Sequence, residues 1–269
     1  MNITAKTKIC MVIGDPVAHS LSPQMHNAGY EALNIDNQYI YVGCKVDVND
    51  IDDFIKGVRV MKIQGISCTM PHKIAVMPYL DEINEVAKKI GAVNTIVNDN
   101  GKLIGYNTDW LGIITPLEKI TTIKNKRVAL IGAGGAARAA AYAVTSKGAN
   151  LTIYNRTLEK AQKLVEIFGG TAFRLDGLNN ITNADIIINT TSVGLKNKNE
   201  TILPKKFITK NQILFDAVYG NETQFLRDAK EKGTQTIAGV EMLLCQGVEQ
   251  FKLFTGHDAP VDVMRKILL

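Results

Sequence analysis

Apolar and polar positions along this chain change their rhythm in blocks. "KICMVIG" is a continuous apolar run, "SPQMHNAGYEALN" spaces its apolar residues at helical intervals, and "QYIYVGCKV" returns to a β-prone run. The exchange continues through "VNDIDDFIKGVRV", which predicts a helix, "QGISCTM", a strand, and "HKIAVMPYLDEINEVAKKIG", a single helix. This alternation predicts a mainly parallel sheet covered by helices. Ser22 followed by Pro23 predicts a cap and first-turn pair for the first helix, since proline lacks the amide that would go unpaired there. "NTIVNDNGKLIGYN" predicts a hairpin that turns at Asn100 and Gly101.

A second alternating series opens at "RVALIGAGGAARAAAYAVTSKG" and runs through "NLTIYNRTLEKAQKLVEIFG", "ADIIINTTSVG", "QILFDAVYG" and "TQTIAG" into an amphipathic helix, "VEMLLCQGVEQFKLFTG". Two series predict two α/β domains, for which 269 residues are ample. The net charge of +5 is mild, and basic residues are interspersed with acidic ones. No basic stripe points to nucleic acid, whereas anionic small molecules fit as ligands. The longest apolar runs fall short of the ~20 residues of a membrane span, and the first residues lack the apolar core of a secretion signal, so the expected location is the cytoplasm. Cys10, Cys44, Cys68 and Cys245 form no C-x-x-C, and the four histidines lack ligand spacing. Neither a disulfide framework nor a metal is expected.

Candidate chemistry begins at the glycines. "VALIGAGGAARAA" sets Gly132, Gly134 and Ala137 in a G-x-G-x-x-A pattern, after a predicted strand and before an Ala-rich helix. The first glycine permits the tight turn, the second admits a pyrophosphate, and the small third residue lets helix and strand pack. Phosphate would lie on the helix N-terminus, against Gly132, Ala133, Gly134, Gly135 and Ala136. An NAD site usually carries an acidic residue ~20 positions on, to bind the ribose hydroxyls. Here Asn155 stands at that place and Arg156 follows. Asn155, Arg156, Thr157 and Lys160 predict a 2′-phosphate partner and therefore NADP.

"GISCTMPHKIAV" places Lys73 where a helix would begin, although the first turn of a helix favours negative side chains. Asp109 follows in "YNTDWLG", at the junction of the two series. A lysine and an aspartate brought together can share a proton, and the ammonium can stabilise an oxygen passing between carbonyl and alkoxide. Which of the two carries the proton stays open.

Taken in order, "GDPVAHSLSPQMHNAGYEALNID", "GISCTMPHK", "GAVNTIV", "YNTDWLG", "GAGGAARAA", "NRT", "INTTSVG" and "GVEMLLCQG" resemble the shikimate dehydrogenase family over nearly the whole chain. The resemblance implies a substrate-binding domain over residues 1–108, completed by C-terminal helices at 240–269. It implies a Rossmann-type, doubly wound NADP domain over 109–239, and a site in the cleft between the domains. It matches Lys73 and Asp109 to the family's catalytic pair and Ser20 and Ser22, with Tyr219, to residues that hold a substrate carboxylate. Thr69, Asn94 and Gln246 match those that bind ring hydroxyls and carbonyl, and Thr190, Val218, Gly239 and Met242 are expected to complete the cofactor site. The implied reaction is the NADP-dependent reversible reduction of 3-dehydroshikimate to shikimate in aromatic amino-acid biosynthesis. A quinate or dual quinate/shikimate dehydrogenase and a non-catalytic NADP-binding sensor remain as alternatives, and a homodimer is among the expectations.

Overall fold

The computed structural model describes residues 3–220 and 222–269 and, of Asn179, the backbone alone. It divides into two compact units. The first takes the chain up to Thr108 together with Leu244–Leu269, and the second is Asp109–Leu243.

In the first unit, β1 (Lys8–Gly14), α1 (Ser22–Ala32), β2 (Tyr39–Lys45), α2 (Ile51–Val60) and β3 (Gly65–Cys68) follow the predicted alternation. Next come α3 (His72–Ala75), β4 (Glu82–Ile83), α4 (Glu85–Ile90) and a hairpin of β5 (Thr95–Asp99) and β6 (Lys102–Tyr106). The sheet runs β2-β1-β3-β5-β6-β4. Pairing is parallel from β1 to β2 and β3, antiparallel where the hairpin joins β3, and parallel again between β4 and β6. Asn100 and Gly101 turn the hairpin with φ of 53° and 98°, as a two-residue turn between twisted strands requires.

Two sequence expectations fail in this unit. Residues 72–91 are not one helix. A single turn, α3, gives way to a 3₁₀ turn over Met77–Tyr79 and the short strand β4 before α4 begins. Pro78 has no amide to continue α3, and the chain bonds to β6 instead. Nor is Ser22 the cap of α1. Leu21 occupies that position without a side-chain bond, and Ser22 is the first helical residue, its amide donating to Ser20 Oγ at 3.3 Å.

The second unit begins with α5 (Asp109–Glu118) and continues through β7 (Arg127–Ile131), α6 (Gly135–Thr145), β8 (Asn150–Asn155), α7 (Leu158–Phe168) and β9 (Thr171–Arg174). It goes on with β10 (Ile186–Asn189), β11 (Ile213–Asp216), α8 (Gln224–Glu231) and β12 (Gln235–Ile237). The boundary of the two units falls within α9 (Gly239–Thr255), and α10 (Val261–Leu268) ends the chain. All strands of the second sheet are parallel, in the order β12-β11-β10-β7-β8-β9. Strand order therefore reverses between β7 and β10. In open α/β sheets that reversal leaves a crevice at the carboxyl ends of the strands, where ligands bind.

Why the strands read as unbroken apolar runs follows from their packing. Val128 and Leu130 of β7 enter one core and Ala129 and Ile131 the other. β1 divides in the same way, Met11 and Ile13 facing one core and Cys10 and Val12 the second. A strand covered on both faces has no polar side, and the usual alternation vanishes.

Candidate active site

Thr69, Lys73 and Asn94 come from separate segments of the first unit and are tied together through the backbone. The Thr69 amide donates to the Ile13 carbonyl at 2.9 Å, the Val93 amide to the Lys73 carbonyl at 2.7 Å, and the Cys68 amide to the Asn94 carbonyl at 2.7 Å. Lys73 is half-buried, in the second position of α3. Four residues give that helix little macrodipole. The electrostatic mismatch read from the sequence is therefore smaller than a full helix would make it. His72 beside it is buried, with Nε2 2.9 Å from the Val46 carbonyl.

Asn94 is the centre of a buried polar cluster. Its Oδ1 accepts from the Thr108 amide at 2.7 Å and the Thr95 hydroxyl at 2.8 Å, while Nδ2 donates to Thr108 Oγ1 at 2.9 Å and to Gln246 Oε1 at 3.3 Å. Asn94, Thr108 and Gln246 are 2, 2 and 7% exposed. Three short polar side chains at positions 94, 108 and 246 thus converge without a charge among them. Such a cluster suits the hydroxyls of a small ligand, because a site of fixed donors and acceptors penalises molecules that cannot pair them. Ser20 and Ser22 are neighbours on the entry to α1, the first half-buried and the second buried. The sequence reading passed over Thr108, although it sits inside the quoted "YNTDWLG".

The second unit holds the other half of the predicted set. Asp109 is buried at the first position of α5, where a helix favours negative charge. Gly132 has φ of 117°, open to glycine at little cost, and a Cβ there would lie 2.6 Å from Thr190 Oγ1. The close approach sets the β7 turn against the loop after β10. Gly134 caps α6 with no side-chain bond of its own, so the cap residue does not compete with a phosphate for the first-turn amides. Ala133, Gly135 and Ala136 are half-buried and Gly134 exposed. At the carboxyl end of β8, Asn155 Nδ2 donates to the Thr157 carbonyl at 2.8 Å, leaving Arg156, Thr157 and Lys160 exposed. Gly239 lies against the Val218 carbonyl, Met242 is packed in the apolar core, and Tyr219 follows Val218 on the loop after β11.

Behind these loops is a carboxylate that the sequence reading did not single out. Asp216 accepts from Asn189 Nδ2 at 2.9 Å, the Val218 amide at 3.1 Å and the Thr223 hydroxyl. Asn189 Oδ1 in turn accepts from the amide and hydroxyl of Thr191. The network braces the loops that carry Thr190, Val218 and Tyr219. Burial pushes the Asp216 acid up to about 6, against the opposing pull of its three donors. The fold therefore favours its neutral form. That contribution to stability is full below the ordinary value of 3.8 and is lost as pH rises through about 6. Asp216→Asn is neutral throughout, so relative to the parent protein it should gain about 3 kcal/mol across this interval. Urea unfolding of both proteins on either side of the interval measures the difference; a difference independent of pH would count against the assignment.

Among the described residues, no group of three or more metal-ligating side chains gathers, and no helix is long and apolar enough to cross a membrane.

Comparison with known proteins adds to this geometry. Residues 12–96 match the shikimate dehydrogenase substrate binding domain, residues 116–223 the shikimate / quinate 5-dehydrogenase family, and residues 239–269 the shikimate 5′-dehydrogenase C-terminal domain. The shikimate dehydrogenase (NADP(+)) of Pyrococcus furiosus is 43% identical over 269 residues, which cover 99% of this chain and 97% of that protein. A shikimate dehydrogenase crystallised with NADP+ superposes with a TM-score of 0.93 at 38% identity, covering 99% of this chain and 96% of the other. The Thermus thermophilus enzyme, solved with NADP(H) and shikimate, gives a TM-score of 0.90 at 34% identity over 97% of this chain and 98% of its own.

Proposed function

We infer that this protein, whose chain belongs to the shikimate dehydrogenase family, is an NADP-dependent oxidoreductase that interconverts 3-dehydroshikimate and shikimate in aromatic amino-acid biosynthesis. The observation that carries the reading is the buried meeting of Asn94, Thr108 and Gln246 in the first unit, a set of short hydrogen-bonding groups fit for a polyhydroxy acid. We assign substrate binding to that unit and dinucleotide binding to the second, whose glycine turn and strand order suit it. Four free cysteines accord with a reducing compartment such as the cytoplasm.

In the direction of reduction, NADPH held by the second unit would supply the hydride that the carbonyl carbon of 3-dehydroshikimate takes up. The carbonyl oxygen then needs a proton. Lys73 and Asp109 are assigned to hold and deliver it, the ammonium stabilising negative charge as it develops on that oxygen. Ser20 and Ser22, with Tyr219, receive the carboxylate; Thr69, Asn94 and Gln246 receive the ring oxygens. Gly132 to Ala136 would hold the pyrophosphate, and Asn155, Arg156, Thr157 and Lys160 would hold the 2′-phosphate. Thr190, Val218, Gly239 and Met242 would line the remainder of the cofactor.

Spectrophotometric assay with shikimate or quinate, each with NADP or NAD, tests the assignment. Shikimate with NADP should be the best pair. Quinate carries one more hydroxyl, on a tetrahedral carbon that swings its carboxylate to another angle, where Ser20 and Ser22 leave less room. Shape rejects an added hydroxyl only modestly, so quinate should be slower by about 10²-fold in kcat/KM. Comparable values would make the protein a dual quinate/shikimate dehydrogenase, and absence of turnover with either acid would favour the NADP-binding sensor.

A further inference from the structure

Behind Asn94 and Gln246 lies a line of buried polar side chains, Tyr41, Ser67, Gln250 and Thr95, none more than 5% exposed and none assigned to the substrate above. The Tyr41 hydroxyl donates to Ser67 Oγ at 2.6 Å, and Ser67 Oγ donates to Gln250 Oε1 at 2.8 Å. Gln250 Nε2 donates to Thr95 Oγ1 at 2.9 Å and to the Asn94 carbonyl at 3.3 Å. Thr95 Oγ1 then donates to Asn94 Oδ1 at 2.8 Å. The bonds share one direction, and two fixed groups set it. A backbone carbonyl can only accept, so the bond to the Asn94 carbonyl decides which end of the Gln250 amide is the nitrogen. A backbone amide can only donate, so the Thr108 amide decides that Asn94 Oδ1 points inward.

Gln250 and Gln246 are four residues apart on α9 and therefore share a face. Gln246 Oε1 accepts two long bonds, from Asn94 Nδ2 at 3.3 Å and from Thr108 Oγ1 at 3.4 Å, whereas Gln250, one turn on, makes two bonds to β5 and its entry and a third to Ser67. Gln250 thus ties this face of α9 to β3 and β5 at a point remote from the ligand groups. We propose that Gln250 is a positioning residue for substrate recognition: it fastens the α9 face that bears Gln246 to β5 and holds the Thr95 hydroxyl as a donor to Asn94. Gln246 thereby keeps its oxygen turned towards Asn94 and Thr108 and its Nε2 away from them, and the pair of amides offers the substrate ring one fixed pattern of donors and acceptors. This inference rests on the functional reading above.

The test compares Gln250→Met, which keeps the length and removes all three bonds, with Ser67→Ala, which removes the donor to Gln250, and Ser67→Thr, which restores a hydroxyl. Gln250→Met and Ser67→Ala should each raise the shikimate KM by about 5- to 30-fold, the effect of one or two lost hydrogen bonds. The NADP KM should not change, and Ser67→Thr should return the shikimate KM towards that of the parent. The preference for shikimate over deoxyshikimates lacking the 4- or 5-hydroxyl, measured as inhibition constants, should shrink by the same factor. General damage would instead weaken shikimate and its deoxy analogues alike, and that result, or an unchanged shikimate KM, would overturn the proposal. If Gln250→Met does not fold, the Ser67 pair decides by the same criteria. A parent protein that fails to oxidise shikimate would overturn the functional reading and leave the contribution of Gln250 to α9 packing to be read from thermal unfolding, where an unchanged Tm would overturn this inference too.

Discussion

Lys73→Ala should lower kcat by about 10²- to 10⁴-fold, the range for a positioned acid–base group, with the fold and NADP affinity unchanged. The fold is expected to survive because the backbone carbonyl at this position takes the Val93 amide at 2.7 Å whatever the side chain. Asp109→Asn should cost activity to a similar degree while keeping the shape of the side chain at the start of α5. Both residues are assigned to the movement of one proton, so the double variant should lose much less than the product of the single losses. Steady-state rates with circular dichroism and NADP titration measure all of this. A fully active Lys73→Ala protein would make the lysine an ordinary surface residue and remove the proposed chemistry.

The second large effect concerns the choice of cofactor. Removing a guanidinium that bonds a phosphate costs about 1.5–3 kcal/mol, so Arg156→Ala should weaken NADP by one to two orders of magnitude. NAD lacks that phosphate and should bind as before. Arg156 is exposed at the carboxyl end of β8, so its removal leaves the core intact and isolates the electrostatic contribution. Equal weakening of both cofactors, or of neither, would show that selectivity lies elsewhere. Fluorescence titration of the reduced cofactors gives the two affinities directly.

Local chemistry is what the sequence determined. The glycine turn after β7 was legible because φ of 117° at Gly132 is a demand that few other residues meet. The hairpin turn at Asn100 and Gly101 was legible for the same reason, and the doubly buried strands announced themselves as unbroken apolar runs. Where neighbours in space compete with neighbours in sequence, the pattern misled. Residues 72–91 carry enough helical spacing to suggest one helix, yet Glu82 and Ile83 find partners on β6, and a strand bond outweighs a weak local preference. Ser22 looked like a cap, but Ser20 already supplies the oxygen that its amide needs. The helix α8 was passed over altogether, its eight residues lying between the two runs that became β11 and β12.

Only the tertiary structure showed how the polar cluster is assembled. Thr108 reaches Asn94 across 14 residues, Gln246 across 152, and Gln250 reaches Thr95 across 155. A glutamine on an amphipathic helix carries no mark of whether it faces water or a buried acceptor; that is settled by the register of α9 on β5. Asp216 is the same case, an acidic residue at a strand end until the fold closes over it and pushes its acid up to about 6. Backbone conformation is set by steric limits that act within a few residues and can be read from the residues themselves. Hydrogen-bond partners and dielectric surroundings exist only once distant segments have met, which is why the turns were visible in the chain and the network behind Asn94 was not.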